Sequence, residues 1–493
     1  MSWGMRLGGL ALARDTLVYG LGLAASRAVS ALLLLVIARV LEPREYGLVD
    51  LIATTVLLGS ILLSLGLEGA VAYYTLTAQV KDQRDLFGTW LWCQVALAGV
   101  VWVAVLLTGP VLAQGLLGYP ESAGYLLIGA TTLSGALLYN LATNVLRYTF
   151  AARRYVAVTV LRVVVEAGLT VGLVVLAGWG LTGVLWGQCL GVALAAVVAL
   201  ALTRRQYALT LSPHLLRTLV VFGLPLVPGS LGAWFLSAAN RYLLAGLTTL
   251  DQVGLFAVAA RIAAGVSLVI GGFQLAWAPH AYRLARRSDA PQVYARVLVI
   301  YLAGVSGVVL PLVLFAPEIV ALASGSAYRG ASTLVGPLAY ATALYGAAYI
   351  TGVGVYLVER PYFASLGVIL AGLVNLGAGW VLIPPLGGLG AALAVLVGNG
   401  LAPLFLYGVS QRLYPIPYPL RPLLGLGAVH GGVLALVGLA ALVGPTVSWA
   451  LRLVALVLAG LVLWRLGSGA VWPMWRGHRR PPVSEPVVPA TRG

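Results

Sequence analysis

The stretch Leu41-Glu42-Pro43-Arg44-Glu45-Tyr46-Gly47-Leu48 lies between two long runs of apolar residues, Leu17–Leu41 and Tyr46–Leu67. An apolar α-helix of about 20 residues is long enough to cross the hydrocarbon core of a bilayer. A short charged turn between two such runs is therefore typical of a hairpin of membrane-spanning helices, with its turn at the membrane surface.

The composition extends this prediction to the whole chain. Of the 493 residues, 61% are hydrophobic and 9% are charged, whereas soluble domains carry about 25% charged residues. The mean hydropathy is +0.98. Because so few charges cannot cover a water-exposed surface, the sequence predicts an all-α polytopic membrane protein without a sizeable soluble domain.

Twelve further runs have a similar length and apolar character, which makes about fourteen predicted spans. Numbered in chain order, these spans are Leu17–Leu41, Tyr46–Leu67, Leu86–Leu107, Tyr125–Tyr148, Val156–Ala177, Leu181–Leu202, Val220–Leu247, Val253–Ala276, Val293–Phe315, Ala331–Val358, Tyr362–Ile383, Leu389–Tyr407, Leu423–Val443 and Ser448–Leu466.

The basic residues orient these spans. The net charge is +16, but the arginines lie in short clusters between apolar runs, which indicates membrane topology rather than nucleic-acid binding. Of the 30 lysines and arginines, 22 lie on one membrane side, four on the other and four inside spans. The side with 22 is predicted to be cytoplasmic, and an even number of spans places both termini there.

The opening stretch has a counterpart in Thr248-Thr249-Leu250-Asp251-Gln252-Val253-Gly254-Leu255, which follows span 7. Each stretch carries an acidic residue and ends in a Gly-Leu pair that opens the next helix. Spans 1 and 7 then correspond, which predicts a parallel repeat of two six-helix lobes around a central cavity. Chance similarity between two helical hairpins is the alternative interpretation.

The repeat and the charges predict four parts of the chain. These are an N-lobe at 1–210 with spans 1–6, a C-lobe at 211–414 with spans 7–12, spans 13 and 14 at 415–470, and a disordered cytoplasmic tail at 471–493. The tail is assigned from its proline-rich and polar composition.

Three arginines within spans predict a cationic cavity, since an intramembrane charge usually faces a cavity or a partner. They are Arg27, near the middle of span 1, Arg241 in the outer part of span 7, and Arg261 in span 8. None has a carboxylate four residues away. Guanidinium groups bind phosphate through bidentate hydrogen bonds, so a diphosphate site is predicted. Snorkelling to the outer interface or pairing with Asp251 is the alternative for Arg241.

Polar residues beside these arginines are further candidates for the cavity. Ser26 and Ser30 lie close to Arg27 on span 1, and Trp234 and Ser237 share a helical stripe with Arg241.

Two sites in the spans contain carboxylates. Arg162 and Glu166 in span 5 are four residues apart and are predicted to pair, either as a structural pair or with a role in substrate or proton transfer. Asp50, one turn into span 2, is a candidate to neutralise an arginine or to bind a coupling cation, and structural pairing near the outer surface is the alternative.

Pro225 and Pro228 are predicted to kink span 7, as a hinge or as a static bend. The sequence carries no metal-ligand spacing, nucleophile elbow or Gly-Lys-Ser/Thr phosphate loop. We therefore expect a protein that is not an enzyme and has no cofactor or metal.

Three groups of residues follow one another along the chain in a characteristic order. They are Ala38–Leu48; Phe222–Pro228, Asn240–Leu244, Val253–Phe256 and Arg261–Ala263; and Asn375, Leu382–Pro384 and Gly387–Ala392. In that order they resemble the Wzx-type polysaccharide flippases, whose superfamily also contains the lipid II flippases and the multidrug and toxin extruders. The resemblance covers roughly Ala13 to Tyr414.

The resemblance implies a twelve-helix core plus two extra helices, in the cytoplasmic membrane of a bacterium. It implies alternating access and a cargo of undecaprenyl-diphosphate-linked oligosaccharide, carried to the outer leaflet for O-antigen, capsule or exopolysaccharide synthesis. It also implies arginines in spans 1, 2, 7 or 8, of which Arg27, Arg241 and Arg261 fit three. Span 2 has Asp50 instead of a central arginine, which weakens the case for a lipid II flippase. The family usually has Asp where Asn240 stands.

A lipid-linked oligosaccharide flippase is therefore the first functional hypothesis, and a multidrug extruder of the same superfamily is the second. A cation extruder needs buried carboxylates, whereas the spans here favour arginine and so an anionic cargo. A membrane-embedded polymerase or ligase is a third class, but it needs a large outer loop. The expected partners are membrane lipids, a polymerase and glycosyltransferases, with no nucleic acid. A monomer is expected, coupled to a Na⁺ or H⁺ gradient or to the membrane potential.

Overall fold

A computed structural model describes residues 29–30, 32–34, 36–77, 82–117, 122–440 and 445–477. In these residues the regular structure is helical, and no β-strand occurs among them. Predicted spans 2–6 coincide with the helices Pro43–Ser64, Gln83–Leu117, Ala123–Tyr148, Ala152–Val171 and Gly180–Thr203. Spans 9–14 coincide with Ala290–Leu314, Ser332–Thr351, Tyr362–Leu386, Gly388–Leu413, Leu420–Ala440 and Pro445–Gly477.

The helices confirm an all-α polytopic membrane protein. Twelve helices in the described ranges are long and apolar enough to cross a bilayer, and a bent pair, Leu250–Ala263 with Val266–Leu284, raises the number to 13. Predicted span 1 lies largely outside the described residues, so the total of fourteen and the lobe arrangement stay predictions. The last helix continues to Gly477, a few residues into the segment predicted as a disordered tail.

The starts of spans 2 and 7 follow from local chemistry. Glu42 caps the first of these helices through a capping box, in which its backbone N–H donates to the Glu45 carboxylate over 3.2 Å. The Ser212 hydroxyl accepts from the backbone N–H of Leu215 at the start of the helix Pro213–Gly223. In both helices proline stands in the first turn, where its missing N–H removes no intrahelical hydrogen bond.

Spans 7 and 8 are broken. Span 7 consists of the helices Pro213–Gly223, Val227–Ser237 and Asn240–Leu247, with a 3₁₀ turn at Leu224–Leu226. The 3₁₀ turn contains Pro225, so the helix changes type where the sequence predicted a kink. Span 8 bends by 45° between its two helices.

The two repeated stretches touch each other through glycine. A β-carbon on Gly47 would overlap the carbonyl oxygen of Leu250, and one on Gly254 would overlap that of Pro43. In the repeat, Gly47 corresponds to Gly254 and Pro43 to Leu250, so the contact is reciprocal. This reciprocity favours a genuine repeat over chance similarity, and it requires glycine because the two backbones are in direct contact.

By their contacts the described residues fall into two compact units. The first comprises those up to Trp234 together with Arg241–Ala257 and Ala323–Ala327, and the second comprises Phe235–Asn240, Val258–Leu322 and those from Tyr328 onward. Most of span 7 and the first residues of span 8 therefore group with spans 2–6. The division into lobes at residue 211 stays a prediction.

Spans 13 and 14 pack into the core of the second unit. Buried residues of span 9, such as Val299 and Leu310, form one apolar cluster with Leu426 and Val433 of span 13 and with residues of span 14. Segment 415–470, predicted as a separate part, thus contributes to this core.

Two polar contacts also hold spans 13 and 14 to the second unit. The His430 ring lies between Ser306, 2.8 Å from Nε2, and Tyr340, 2.9 Å from Nδ1. Since Ser306 gives its own proton to the carbonyl of Leu302, Nε2 of His430 donates to Ser306 and Nδ1 accepts from Tyr340. In span 14, Arg452 donates to the Glu318 carboxylate over 2.6 Å.

Candidate functional site

Arg241, in the C-terminal part of span 7, and Asp50, in the N-terminal part of span 2, lie together. The Arg241 Nε–H donates to Asp50 Oδ2 in an ion pair, and their side chains are only 15% and 9% exposed. The guanidinium carbon also lies 5.5 Å from the centre of the Phe256 ring on span 8, within the range of a cation–π contact. Arg241 therefore joins spans 2, 7 and 8 through one side chain.

The residue after Arg241 makes a second bond to span 2. The Tyr242 hydroxyl lies 2.6 Å from Thr55 Oγ1, and Thr55 gives its own proton to the Leu51 carbonyl over 2.9 Å. Tyr242 is therefore the donor to Thr55. The ring of the buried Trp234 lies 5.8 Å from that of Tyr242. Arg241 and Tyr242 of span 7 thus both bond to span 2, and Trp234 packs near the Tyr242 ring.

An apolar cavity of about 300 Å³ adjoins this cluster within the first unit. Its wall includes Ile52, Val105 and Leu133, and the hydroxyl-bearing residues Thr55 and Tyr242 lie at one side. The cavity offers space for an apolar group next to Tyr242, the residue that follows Arg241. Arg241 does not itself line the cavity, so it is only through Tyr242 that the cation and the apolar space are neighbours.

The other candidate residues are not all brought to this cluster. Arg261 is half-buried and belongs to the second unit, Ser237 is exposed near the break of span 7, and Ser30 is exposed. Arg27 and Ser26 lie outside the described residues. A shared cavity lined by all three arginines therefore stays a prediction.

The pair in span 5 has the predicted spacing and contact. Arg162 Nε lies 3.7 Å from Glu166 Oε2, with side chains 34% and 23% exposed. The guanidinium carbon also lies 4.8 Å from the centre of the Tyr139 ring on span 4. Arg162 is thus held by a carboxylate on its own helix and an aromatic ring on the next, an arrangement that favours a structural role.

A thermal-stability cycle tests this structural role. Arg162→Ala and Glu166→Ala should each destabilise the protein, and the double variant should lose less than the sum of the two. We expect a coupling of about 0.5–1 kcal/mol, since the pair is partly exposed. Arg154, exposed at the start of the same helix, provides the control: Arg154→Ala combined with Glu166→Ala should be additive. Additivity of Arg162→Ala with Glu166→Ala would remove the structural interpretation.

Sequence reasoning missed the polar contacts of Asn240 and Asn375. Asn375 is fully buried, and its amide donates to the carbonyls of Phe235 and Leu236 over 2.9 and 3.2 Å. Its oxygen accepts from the Asn240 amide over 2.8 Å. Because Phe235 and Leu236 lie in the last turn of a helix, where carbonyls lack intrahelical partners, Asn375 stabilises the break in span 7. Asn240 and Asn375 both lie in the stretches that resemble the Wzx-type flippases, and this resemblance was the signal in the sequence that could have singled them out.

These hydrogen bonds also give a reason for asparagine at position 240, where the resembling family usually has aspartate. The Asn240 amide donates to Asn375, which an aspartate carboxylate cannot do. The carboxylate that pairs with Arg241 comes instead from Asp50 on span 2. Within the described part of the chain, no three His, Cys, Asp or Glu side chains are grouped as metal ligands; the predicted absence of a metal stays a prediction.

Comparison with known proteins identifies the family of the chain and its fold. Residues 36–333 match the model of a family described as polysaccharide biosynthesis protein. The structure of the lipid II flippase MurJ in an inward closed conformation matches with a TM-score of 0.67 and 12% identity, over 94% of this chain and 100% of that one.

Two further solved structures share the fold. An inward-facing multidrug resistance MATE family transporter of the MOP superfamily matches with a TM-score of 0.64 and 17% identity, over 78% of this chain and 94% of that one. A MOP superfamily transporter from Pyrococcus furiosus, described by the reversed polarity of its binding pocket, matches with a TM-score of 0.53 and 16% identity, over 82% and 95%. A sequence search of curated proteins gives no significant match.

Proposed function

Because the chain belongs to the polysaccharide biosynthesis protein family, we propose that it is a flippase that carries an undecaprenyl-diphosphate-linked oligosaccharide from the inner to the outer leaflet of the cytoplasmic membrane. The observation that carries this proposal is Arg241, whose side chain is 15% exposed and whose neighbour Tyr242 lines an apolar cavity. A polyprenyl diphosphate has an anionic head and an apolar tail, which match these two features. Arg27 and Arg261 would add further charge for the diphosphate.

Transport would proceed by alternating access and feed the synthesis of a cell-surface polysaccharide. The broken spans 7 and 8 support movement, since helix breaks are the places where a span can change its direction. The proposed orientation has both termini in the cytoplasm. A Na⁺ or H⁺ gradient or the membrane potential would supply energy, with a polymerase and glycosyltransferases as functional partners.

A multidrug extruder of the same superfamily is the second candidate. The observation in its favour is the pair of carboxylates within spans, Asp50 and Glu166. Each of them, however, lies against an arginine, so a cationic drug would have to displace a guanidinium group to bind there. A diphosphate would likewise have to displace Asp50 from Arg241, so the preference for the anionic cargo rests on membership in the polysaccharide biosynthesis protein family.

Reconstitution tests the proposed cargo. The purified protein is placed in vesicles with a labelled undecaprenyl-diphosphate oligosaccharide, and an impermeant oxidant measures how much of the sugar is exposed. We expect protein-dependent transfer between leaflets, altered by an imposed Na⁺ or H⁺ gradient or membrane potential. A cationic dye in the same vesicles is the control and should not be transported. Dye transport without glycan transfer would contradict the flippase and favour the extruder.

A further inference from the structure

The contacts at the outer ends of spans 2, 7 and 8 form one compact cluster, which we call the outer latch. It consists of Gly47, Asp50, Thr55, Arg241, Tyr242 and Gly254. All six residues belong to the first unit, although the last three come from the predicted C-lobe. Resting on the function proposed above, we propose that the outer latch closes the extracytoplasmic exit and that the cargo's diphosphate opens it by taking Arg241 from Asp50.

The outer latch has two kinds of contact, backbone packing and polar bonds, with different consequences for its opening. The glycine contact brings backbones together, since neither Gly47 nor Gly254 has room for a β-carbon. Such packing is either made or lost as a unit, because backbone atoms cannot adjust by changing rotamer. The bonds from Arg241 and Tyr242 add polar links that can exchange partners. The outer latch therefore has a rigid closed state, and a ligand that takes over one partner of its polar bonds can open it.

Arg241 and Tyr242, which make the polar bonds of the outer latch, lie on a short helix of their own. Asn240–Leu247 is a separate short helix, divided from Val227–Ser237 by two residues. Its preceding break is fixed on the other side by Asn375 in the second unit. Asn240, the first residue of this helix, is also bound to Asn375, so the residues from Arg241 to Leu247 would turn about Asn240 while the rest of span 7 stays in place.

A phosphate group can replace Asp50 as the partner of Arg241. A diphosphate offers several anionic oxygens to the guanidinium group, and phosphate competes well with a carboxylate for arginine. In this proposal the diphosphate binds Arg241 more tightly once the bond to Asp50 is broken, because the negative charge of Asp50 then no longer repels the anion and two parallel N–H groups can face it. Such a ligand shifts the equilibrium toward the open latch by the ratio of its affinities for the open and the closed state. An apolar lipid without phosphate has no such preference.

Distance measurements between spin labels test the latch directly. Labels are attached at Arg44→Cys on span 2 and Gly246→Cys on span 7, in a chain whose Cys93 and Cys189 are replaced by alanine. Both sites are exposed, and a β-carbon at position 246 meets open space. In vesicles, undecaprenyl diphosphate should shift the population to longer distances, and undecaprenol should leave it unchanged.

Variants separate the latch from the cargo. Asp50→Asn should raise the long-distance population roughly tenfold or more without any lipid, since it removes the charge that holds Arg241. Tyr242→Phe should give a smaller shift in the same direction. Glu166→Gln is the matched control, because it breaks another ion pair within a span of the same unit, and it should not change the distances.

The outcomes distinguish the latch from the proposed function. Unchanged distances in both Asp50→Asn and Tyr242→Phe overturn the latch, even if glycan transfer in vesicles is normal. Distances that respond to Asp50→Asn but not to undecaprenyl diphosphate, in a protein that transfers glycan, overturn opening by the diphosphate. A response to Asp50→Asn in a protein that transfers no glycan supports the latch and contradicts the flippase.

Discussion

Replacing Asn375 by leucine is expected to lower the free energy of unfolding by about 3 kcal/mol or more. Leucine keeps the branched heavy-atom skeleton of asparagine but has no hydrogen-bonding group. The carbonyls of Phe235 and Leu236 therefore lose the Asn375 amide, and the Asn240 amide keeps only its 3.5 Å contact with the carbonyl of Ala391. A buried polar group left without a hydrogen bond costs about 1–3 kcal/mol, and three groups are affected. Since Asn375 and Asn240 are buried, water has little access to replace the amide.

Thermal unfolding of the purified protein in detergent measures this effect. Asn140→Leu on span 4 is the control, because Asn140 is a half-buried amide of a continuous helix. We expect this control to change stability by less than about 1 kcal/mol. Equal stability of the Asn375→Leu and Asn140→Leu variants would show that Asn375 does not support the break.

The second large effect is expected on transport. Arg27→Ala or Arg261→Ala should abolish complementation of a flippase-null strain while the protein is still made and inserted. Each arginine would supply charge-assisted hydrogen bonds to the diphosphate, worth about 1.5–3 kcal/mol. Loss of one should therefore reduce transport in vesicles by roughly tenfold to a hundredfold.

Conservative variants identify the reason for such a loss. Arg261→Lys keeps the positive charge but not the bidentate geometry, so partial activity is expected. Arg153→Ala, at an exposed position near the start of span 5, should transport normally. Full activity of both Arg27→Ala and Arg261→Ala would eliminate the predicted diphosphate site.

The regular parts of the fold were predictable because lipid imposes a simple rule on length and composition. Spans 2–6 and 9–14 needed no knowledge of their neighbours, since an apolar run of sufficient length must be helical in a bilayer. The change of helix type at Pro225 followed from the chemistry of proline. The break at Ala238–Ala239 had no such signal, because alanine favours helix, and Asn375, which bonds to the carbonyl before the break, lies far along the chain.

The partners of the charged residues were harder to predict than the spans. Arg162 and Glu166 are neighbours on one helix, so their spacing sufficed. Arg241 and Asp50 are 191 residues apart, and the sequence left Asp251, the interface and a cavity as alternatives for Arg241. His430 is an isolated histidine in an apolar run, and nothing nearby in the sequence indicates Ser306 or Tyr340. Such pairs become visible only when the packing of spans is known.

The contacts of His430 and Arg452 set the order in which this protein can be completed during synthesis. Glu318 leaves the ribosome 134 residues before Arg452, and Ser306 leaves it 124 residues before His430. Spans 9 and 10 must therefore enter the membrane with polar groups whose final partners do not yet exist. The second unit can reach its final packing only after the last two helices have been inserted, so a nascent chain that stops after span 12 is an unfinished intermediate that still exposes the binding surface for its own C-terminus.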